Sequence, residues 1–185
     1  MKSTILVFAT VLLLGLFIDS ANAQTGGPAK FTVGGTEVVR NGFGNRNKMM
    51  LSLYECGLYL PKKSKDAANI IAAEQPMAMR LKITSKFVSR EKMLAALQQG
   101  FKSSTGGKTA SIASDIAAFT KCFSDPIKMG DVFVMTYKPN SGVVVYKNNK
   151  QKGSAGGAEF KKALLGIWLG KKPADSNLKN ALLGK

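Results

Sequence analysis

The stretch from Arg46 to Leu60 constrains the fold most. It holds fifteen residues with little helical periodicity, is rich in apolar and aromatic side chains, and stops at Pro61. It reads as one long strand, and a strand needs pairing partners and a cover over its apolar face. The rest of the chain supplies both. Met77, Met79, Leu81 and Ile83 alternate with Ala78, Arg80 and Lys82, the period of a half-buried strand. Val132–Tyr137 and Val143–Lys147 flank Pro139-Asn140-Ser141-Gly142, the pattern of a hairpin. A third short strand is expected after the Asn148-Asn149 turn. A further short strand, Glu37–Arg40, is expected to end in a turn at Asn41-Gly42-Phe43-Gly44.

Helical patterns come in separate blocks. Asp66 caps a short helix carrying Ile70 and Ile71 and ended by Pro76. Ser89 opens a helix with Met93, Leu94, Leu97 and Phe101 on one face, and Ile112, Ile116, Phe119 and Phe123 mark the next. Phe160, Ala163, Leu164, Ile167 and Trp168 recur at helical spacing before Gly170 and Pro173. Asp175 can cap a last helix carrying Leu178, Ala181 and Leu182. Segregated strands and helices point to an α+β fold, a curved antiparallel sheet with helices over one face, rather than to βαβ units.

The first 23 residues read as a signal peptide. Lys2 is followed by an apolar run, Ile5 to Ile18, and by the small-x-small site Ala21-Asn22-Ala23. A single domain over 24–185 is expected, in the periplasm or secreted. Gln24 rather than Cys follows the cut, which argues against a lipoprotein anchor. Export permits a bridge between Cys56 and Cys122, but their apolar flanks suit buried thiols equally well, and the sequence leaves the pairing open.

Composition excludes several chemistries. The chain has no histidine, so it has no Ser-His-Asp triad, no Cys-His dyad and no histidine metal site, and two cysteines alone make no zinc site. No metal and no cofactor are expected. Gly106-Gly107-Lys108-Thr109 has the tail of a P-loop, but position 102 is lysine and the segment follows a helix. Gly42-Phe43-Gly44 lacks the third glycine of a dinucleotide fingerprint. Asp115, Asp125 and Asp131 read as caps and turn residues, not as an acid/base pair. The net charge is +16, carried mostly by lysine; Arg40, Arg46, Arg80 and Arg90 are the four arginines. Such a surface is either simply solvated or drawn to an anionic envelope surface. No nucleic-acid motif is present.

Three segments carry a family likeness. They are Gly44-Asn45-Arg46 with Tyr54-Glu55-Cys56-Gly57-Leu58-Tyr59-Leu60; Val88-Ser89-Arg90-Glu91-Lys92; and Gly156-Gly157-Ala158-Glu159-Phe160 through Gly170. In this order the chain resembles the chalcone isomerase-like family over nearly all of residues 24–185. The resemblance implies an open-faced β-sandwich, an antiparallel sheet packed against a layer of helices with a ligand cleft between them. It implies two branches: intramolecular lyases that close chalcones, and noncatalytic fatty-acid binders.

By the same resemblance Arg46 is the anion partner, and Tyr54 stands where the binders carry tyrosine and the isomerases threonine. Lys92 matches the isomerases' lysine. Their tyrosine is missing, with Phe87 and Val88 in its place, and so is the hydroxyl expected near Ala158–Lys161. Arg46 and Lys92 are therefore the only catalytic candidates. The expected ligand is a small apolar carboxylate, or a phenolic compound in the isomerase alternative, bound by a monomer. A basic envelope interaction protein is the third alternative. Met50, Met79, Met93 and Leu97 are expected to line the cleft. One difficulty is plain: along a straight strand Arg46 and Tyr54 lie about 26 Å apart, too far to hold one carboxylate together.

Overall fold

The computed structural model describes residues 26–185; the signal peptide expected over residues 1–23 lies outside them. Seven strands form one antiparallel sheet in chain order, β1 (Lys30–Val33), β2 (Thr36–Lys48), β3 (Leu51–Leu60), β4 (Met77–Ile83), β5 (Val132–Lys138), β6 (Gly142–Lys147) and β7 (Lys150–Ala155). The helices are α1 (Ala67–Ala72), α2 (Arg90–Ser104), α3 (Ala113–Lys121), α4 (Ala158–Leu169) and α5 (Ser176–Leu182). Every sheet neighbour is also a sequence neighbour, so no parallel crossover is required.

The period-2 pattern decides which face is covered. Cys56, Leu58, Met79, Leu81, Phe133, Met135 and Val145 join the helical residues Leu97, Phe101, Phe119, Phe160, Leu164 and Trp168 in the main core. Four phenylalanines (101, 119, 123 and 160) meet at 5.2–6.0 Å between ring centroids in its middle. A smaller cluster of Val33, Val38, Tyr59 and Ala78 occupies the other face, with Phe31 packed edge-on to Tyr59 at 4.6 Å.

The helix caps follow the sequence closely. Asp66 accepts from the amides of Ala68 and Asn69, Ser89 from Lys92 and Asp175 from Leu178. Two strand assignments need correction. The run from 46 to 60 is not one strand: it folds back at Met49 and Met50, both at positive φ (48° and 66°), in a tight turn between β2 and β3. Asn41–Gly44 is not a turn: β2 runs through it with a register shift between Arg40 and Gly42. Asn41, at that shift, donates to the carbonyls of Ser64 (2.9 Å) and Leu182 (2.8 Å) and accepts from the Ser64 amide (2.7 Å). Its buried side chain thus ties the strand to α5. The Asn-Gly pair makes a bulge because tertiary hydrogen bonds outweigh the local turn preference.

Lys161 is another departure from pattern. It is 1% exposed within α4, and its ammonium donates to the carbonyls of Ile71 (2.9 Å) and Ala73 (2.8 Å) and pairs with Glu74 at 3.3 Å. The ammonium therefore satisfies carbonyls at the C-terminal end of α1 that no helical amide can reach. Burial lowers its pKa, and Glu74 opposes that shift.

Gly42 lets β2 pass directly beneath α5. A Cβ there would lie 2.2 Å from the Ala181 carbonyl oxygen and 2.6 Å from that of Leu182. Gly42→Ala is expected to destabilise the chain by about 1–3 kcal/mol, read as a lower urea midpoint with an unchanged m-value.

Candidate functional site

The β2–β3 turn settles the distance difficulty. Antiparallel pairing places Arg46 directly opposite Tyr54, where directly paired residues have Cβ atoms about 5 Å apart. A bend between the two residues, rather than reach along one strand, brings them together.

Both residues line a cavity of about 740 Å³ between the sheet and the α2–α4 layer. Leu53, Leu81, Val88, Met93, Leu97, Ile167 and Trp168 supply apolar wall. Arg46, Lys48, Lys92 and Lys172 supply the cations. The size falls within the usual range for a small-molecule site, about 300–1,000 Å³.

Of the residues expected from the sequence, Arg46, Tyr54, Lys92, Met93 and Leu97 line this cavity. Met50 does not: it is fully exposed at the tip of the turn. Reading residues 46–60 as one strand had put it on the face of Tyr54; the turn removes it. Met79 does not either. It is 2% exposed and faces Leu164 and Leu165 across a gap of about 10 Å³, which is filled core. The Lys92 ammonium is bonded to the Phe87 carbonyl at 3.1 Å. Phe87 and Val88 stand in the cavity wall.

The arginine has a partner the sequence reading missed. Its Nη1 donates to Asp175 Oδ2 at 3.1 Å and also to the Asn47 carbonyl. Among the described residues no acceptor takes its Nη2 or Nε hydrogens. Asp175 is at once the N-cap of α5 and an acceptor for the Asn47 amide at 3.3 Å. Burial works against its ionisation. The amides of Leu178 and Asn47 and the Arg46 charge outweigh that, holding its pKa below the usual carboxylate value. Its capping role was legible; its second role, across the fold, had no local signal.

Tyr54 is fixed by Trp168, whose indole N–H donates to the phenol oxygen at 3.0 Å. Burial, with the neighbouring Cys56, pushes the phenol pKa far above its ordinary value, against the pull of Trp168 and Arg46. The hydroxyl therefore stays neutral. It accepts from Trp168, and among the described residues nothing accepts its own hydrogen. A buried tryptophan N–H needs an acceptor, so the chain's single tryptophan was the clue to this pair. Cys56 and Cys122 are both buried free thiols, and burial raises the pKa of each.

Taken together, the site is an apolar hollow with a neutral phenol donor and a partly free guanidinium side by side at one wall.

A sequence model of the chalcone isomerase-like family matches residues 21–184, and the chain belongs to that family. Among solved structures it is similar to a fatty-acid binding protein of Arabidopsis thaliana. The two share 19% sequence identity with a TM-score of 0.66, over 84% of this chain and 90% of that one. At that identity the likeness establishes the fold: an antiparallel sheet with helices packed on it. No curated protein matches the chain.

Tyr54→Phe would strand the Trp168 N–H, and Trp168→Phe would remove a bond to Tyr54. Each is expected to cost about 1–3 kcal/mol. The double variant should cost clearly less than the two together, by a double-mutant cycle in urea. Asp175 also predicts a pH effect. Its folded pKa is lowered, so its stabilisation is complete above its unfolded value of about 3.9 and is lost as pH falls through the lower folded value. Denaturation at pH 6 and pH 3 should show this loss, and Asp175→Asn should reduce it.

Proposed function

We propose that the chain is an exported, noncatalytic binder of a fatty acid or a similar apolar carboxylate, acting as a monomer. The observation that carries this reading is the Arg46–Tyr54 pair set across two strands at the wall of an apolar cavity of about 740 Å³. The fatty-acid binding protein of similar fold supports it. So do the missing isomerase hydroxyls at Phe87, Val88 and Ala158–Lys161.

The chemistry divides between tail and head. Burying a twelve-methylene tail would contribute on the order of 10 kcal/mol gross, at about 0.8 kcal/mol per methylene. The head adds charge-assisted hydrogen bonds of about 1.5–3 kcal/mol. One carboxylate oxygen would take the free Nη2–Nε edge of Arg46 and the other the Tyr54 hydroxyl. Asp175 would remain on Nη1, which opposes a second anion and keeps the guanidinium oriented before the ligand arrives. The tail sets affinity and the head selects acids over alcohols and hydrocarbons.

Native mass spectrometry of protein purified from a bacterial host, with displacement of a fluorescent fatty acid, tests the reading. A bound acid and a melting temperature raised by long-chain acids are expected. Arg46→Gln should weaken acid binding about 10- to 100-fold and leave a fatty alcohol of equal length nearly unchanged. Asp175→Asn keeps a competent cap and should tighten acid binding. Absence of bound lipid together with no thermal shift would reject the proposal.

A further inference from the structure

All five of the large apolar side chains exposed among the described residues lie at one end of the sheet. They are Met49 (87% exposed), Met50 (102%), Leu51, Phe87 and Met129 (65%). Their common location follows from the backbone. Met49 and Met50 form the β2–β3 turn and Leu51 opens β3. Phe87 lies in the segment leaving β4, whose Thr84 amide donates to Leu53. Met129 lies in the turn entering β5, where the Gly130 amide donates to the Ile83 carbonyl at 2.8 Å. The cavity mouth is at this same end, since Met49, Leu51 and Phe87 also line it.

Each projection is preceded by a lysine. The sequences are Lys48-Met49-Met50-Leu51, Lys86-Phe87 and Lys128-Met129. Carboxylates nearby are already neutralised: Asp175 by Arg46 at 3.1 Å and Asp131 by Lys147 at 2.9 Å, while Glu91 sits 3.8 Å from Arg90. The turn itself is costly. Two consecutive methionines at positive φ occupy positions that Asn-Gly fills easily. Folding energetics alone therefore give no reason for fully exposed methionines there.

We propose that this end of the molecule is a docking surface for an anionic lipid bilayer. The methionines and Phe87 enter the acyl boundary while Lys48, Lys86 and Lys128 remain at the headgroups, the division that amphipathic interfacial segments make. No described helix is long and apolar enough to cross a membrane, so the contact is peripheral. Charge complementarity selects a bilayer rich in anionic lipid: the chain carries +16, and each lysine near such a surface contributes about 1 kcal/mol. Docked this way, the cavity mouth faces the membrane. The proposal stands apart from the carrier reading, because it requires a bilayer and no bound acid.

The test uses a chain beginning at Gln24, which contains the whole described fold and leaves out the apolar run of residues 5–18. It is sedimented with vesicles of phosphatidylcholine alone, or of phosphatidylcholine and phosphatidylglycerol, in the absence of free fatty acid. Binding to the anionic vesicles only is expected, weakening with salt. Met50→Ser/Met129→Ser changes two exposed side chains outside the cavity and should weaken that binding about tenfold. Lys86→Gln and Lys128→Gln should each weaken it about fivefold, with unchanged melting temperatures throughout. The proposal is overturned if the parent chain stays in the supernatant with anionic vesicles. It is overturned equally if the methionine variant sediments as well as the parent, for then only diffuse charge is at work.

Discussion

The ion pair between Arg46 and Asp175 joins the β2–β3 hairpin to the start of α5, 129 residues on in the sequence. Arg46 belongs to the outer end of β2, Asp175 opens α5, and Tyr54 stands opposite Arg46 on β3. The pair does two jobs with one carboxylate. It caps α5 through the Leu178 amide, and it orients the guanidinium beside the cavity. An arginine free in solvent would lose side-chain entropy on meeting an anion; one already held by Asp175 and the Asn47 carbonyl has lost much of it beforehand. The cost is a resident negative charge that opposes a second. In the carrier reading proposed above, that trade suits selection of a head group more than raw strength of binding.

Tight seating of α5 on β2 is what makes this geometry possible. Gly42 has no room for a Cβ beneath the α5 carbonyls, and a Cβ on Gly44 would lie 2.6 Å from the Ala181 methyl. Asn41 adds a direct hydrogen bond to the end of α5. The Asn41–Gly44 segment thus serves helix docking, and through it the position of Asp175. A polar residue and two glycines in a strand would be poor strand formers by local preference alone; close helix approach explains them.

The elements whose cause is local were legible in the sequence. Alternation in 77–83 and 132–147, the caps Asp66, Ser89 and Asp175, and the apolar stripe from Phe160 to Trp168 all predict what is found, because each depends on neighbours within a few residues. What failed was turn chemistry. Met49-Met50 carries none of the residues that normally mark a left-handed turn, so the hairpin read as one strand, and Met50 was assigned to the cleft. Asn-Gly at 41–42 carries the signal and makes no turn. The family likeness located Arg46 and Tyr54, but only the backbone showed them to be paired. Asp175 as the arginine's partner and Lys161 as the cap of α1 depend on contacts over about ninety residues or more, which periodicity does not encode.

The two ends of Tyr54's environment explain why a tyrosine suits this wall better than a threonine. The ring fills apolar space beside Leu53 and Trp168, and its oxygen reaches the indole N–H. A threonine hydroxyl on the same Cα would sit several ångströms short of that indole and leave it without an acceptor inside the core. Burial raises the pKa of the phenol, which therefore presents a neutral donor. Beside it, the Lys92 ammonium is tied to a backbone carbonyl and Arg46 to a carboxylate. This wall sets a neutral hydrogen-bond donor next to a partly neutralised cation.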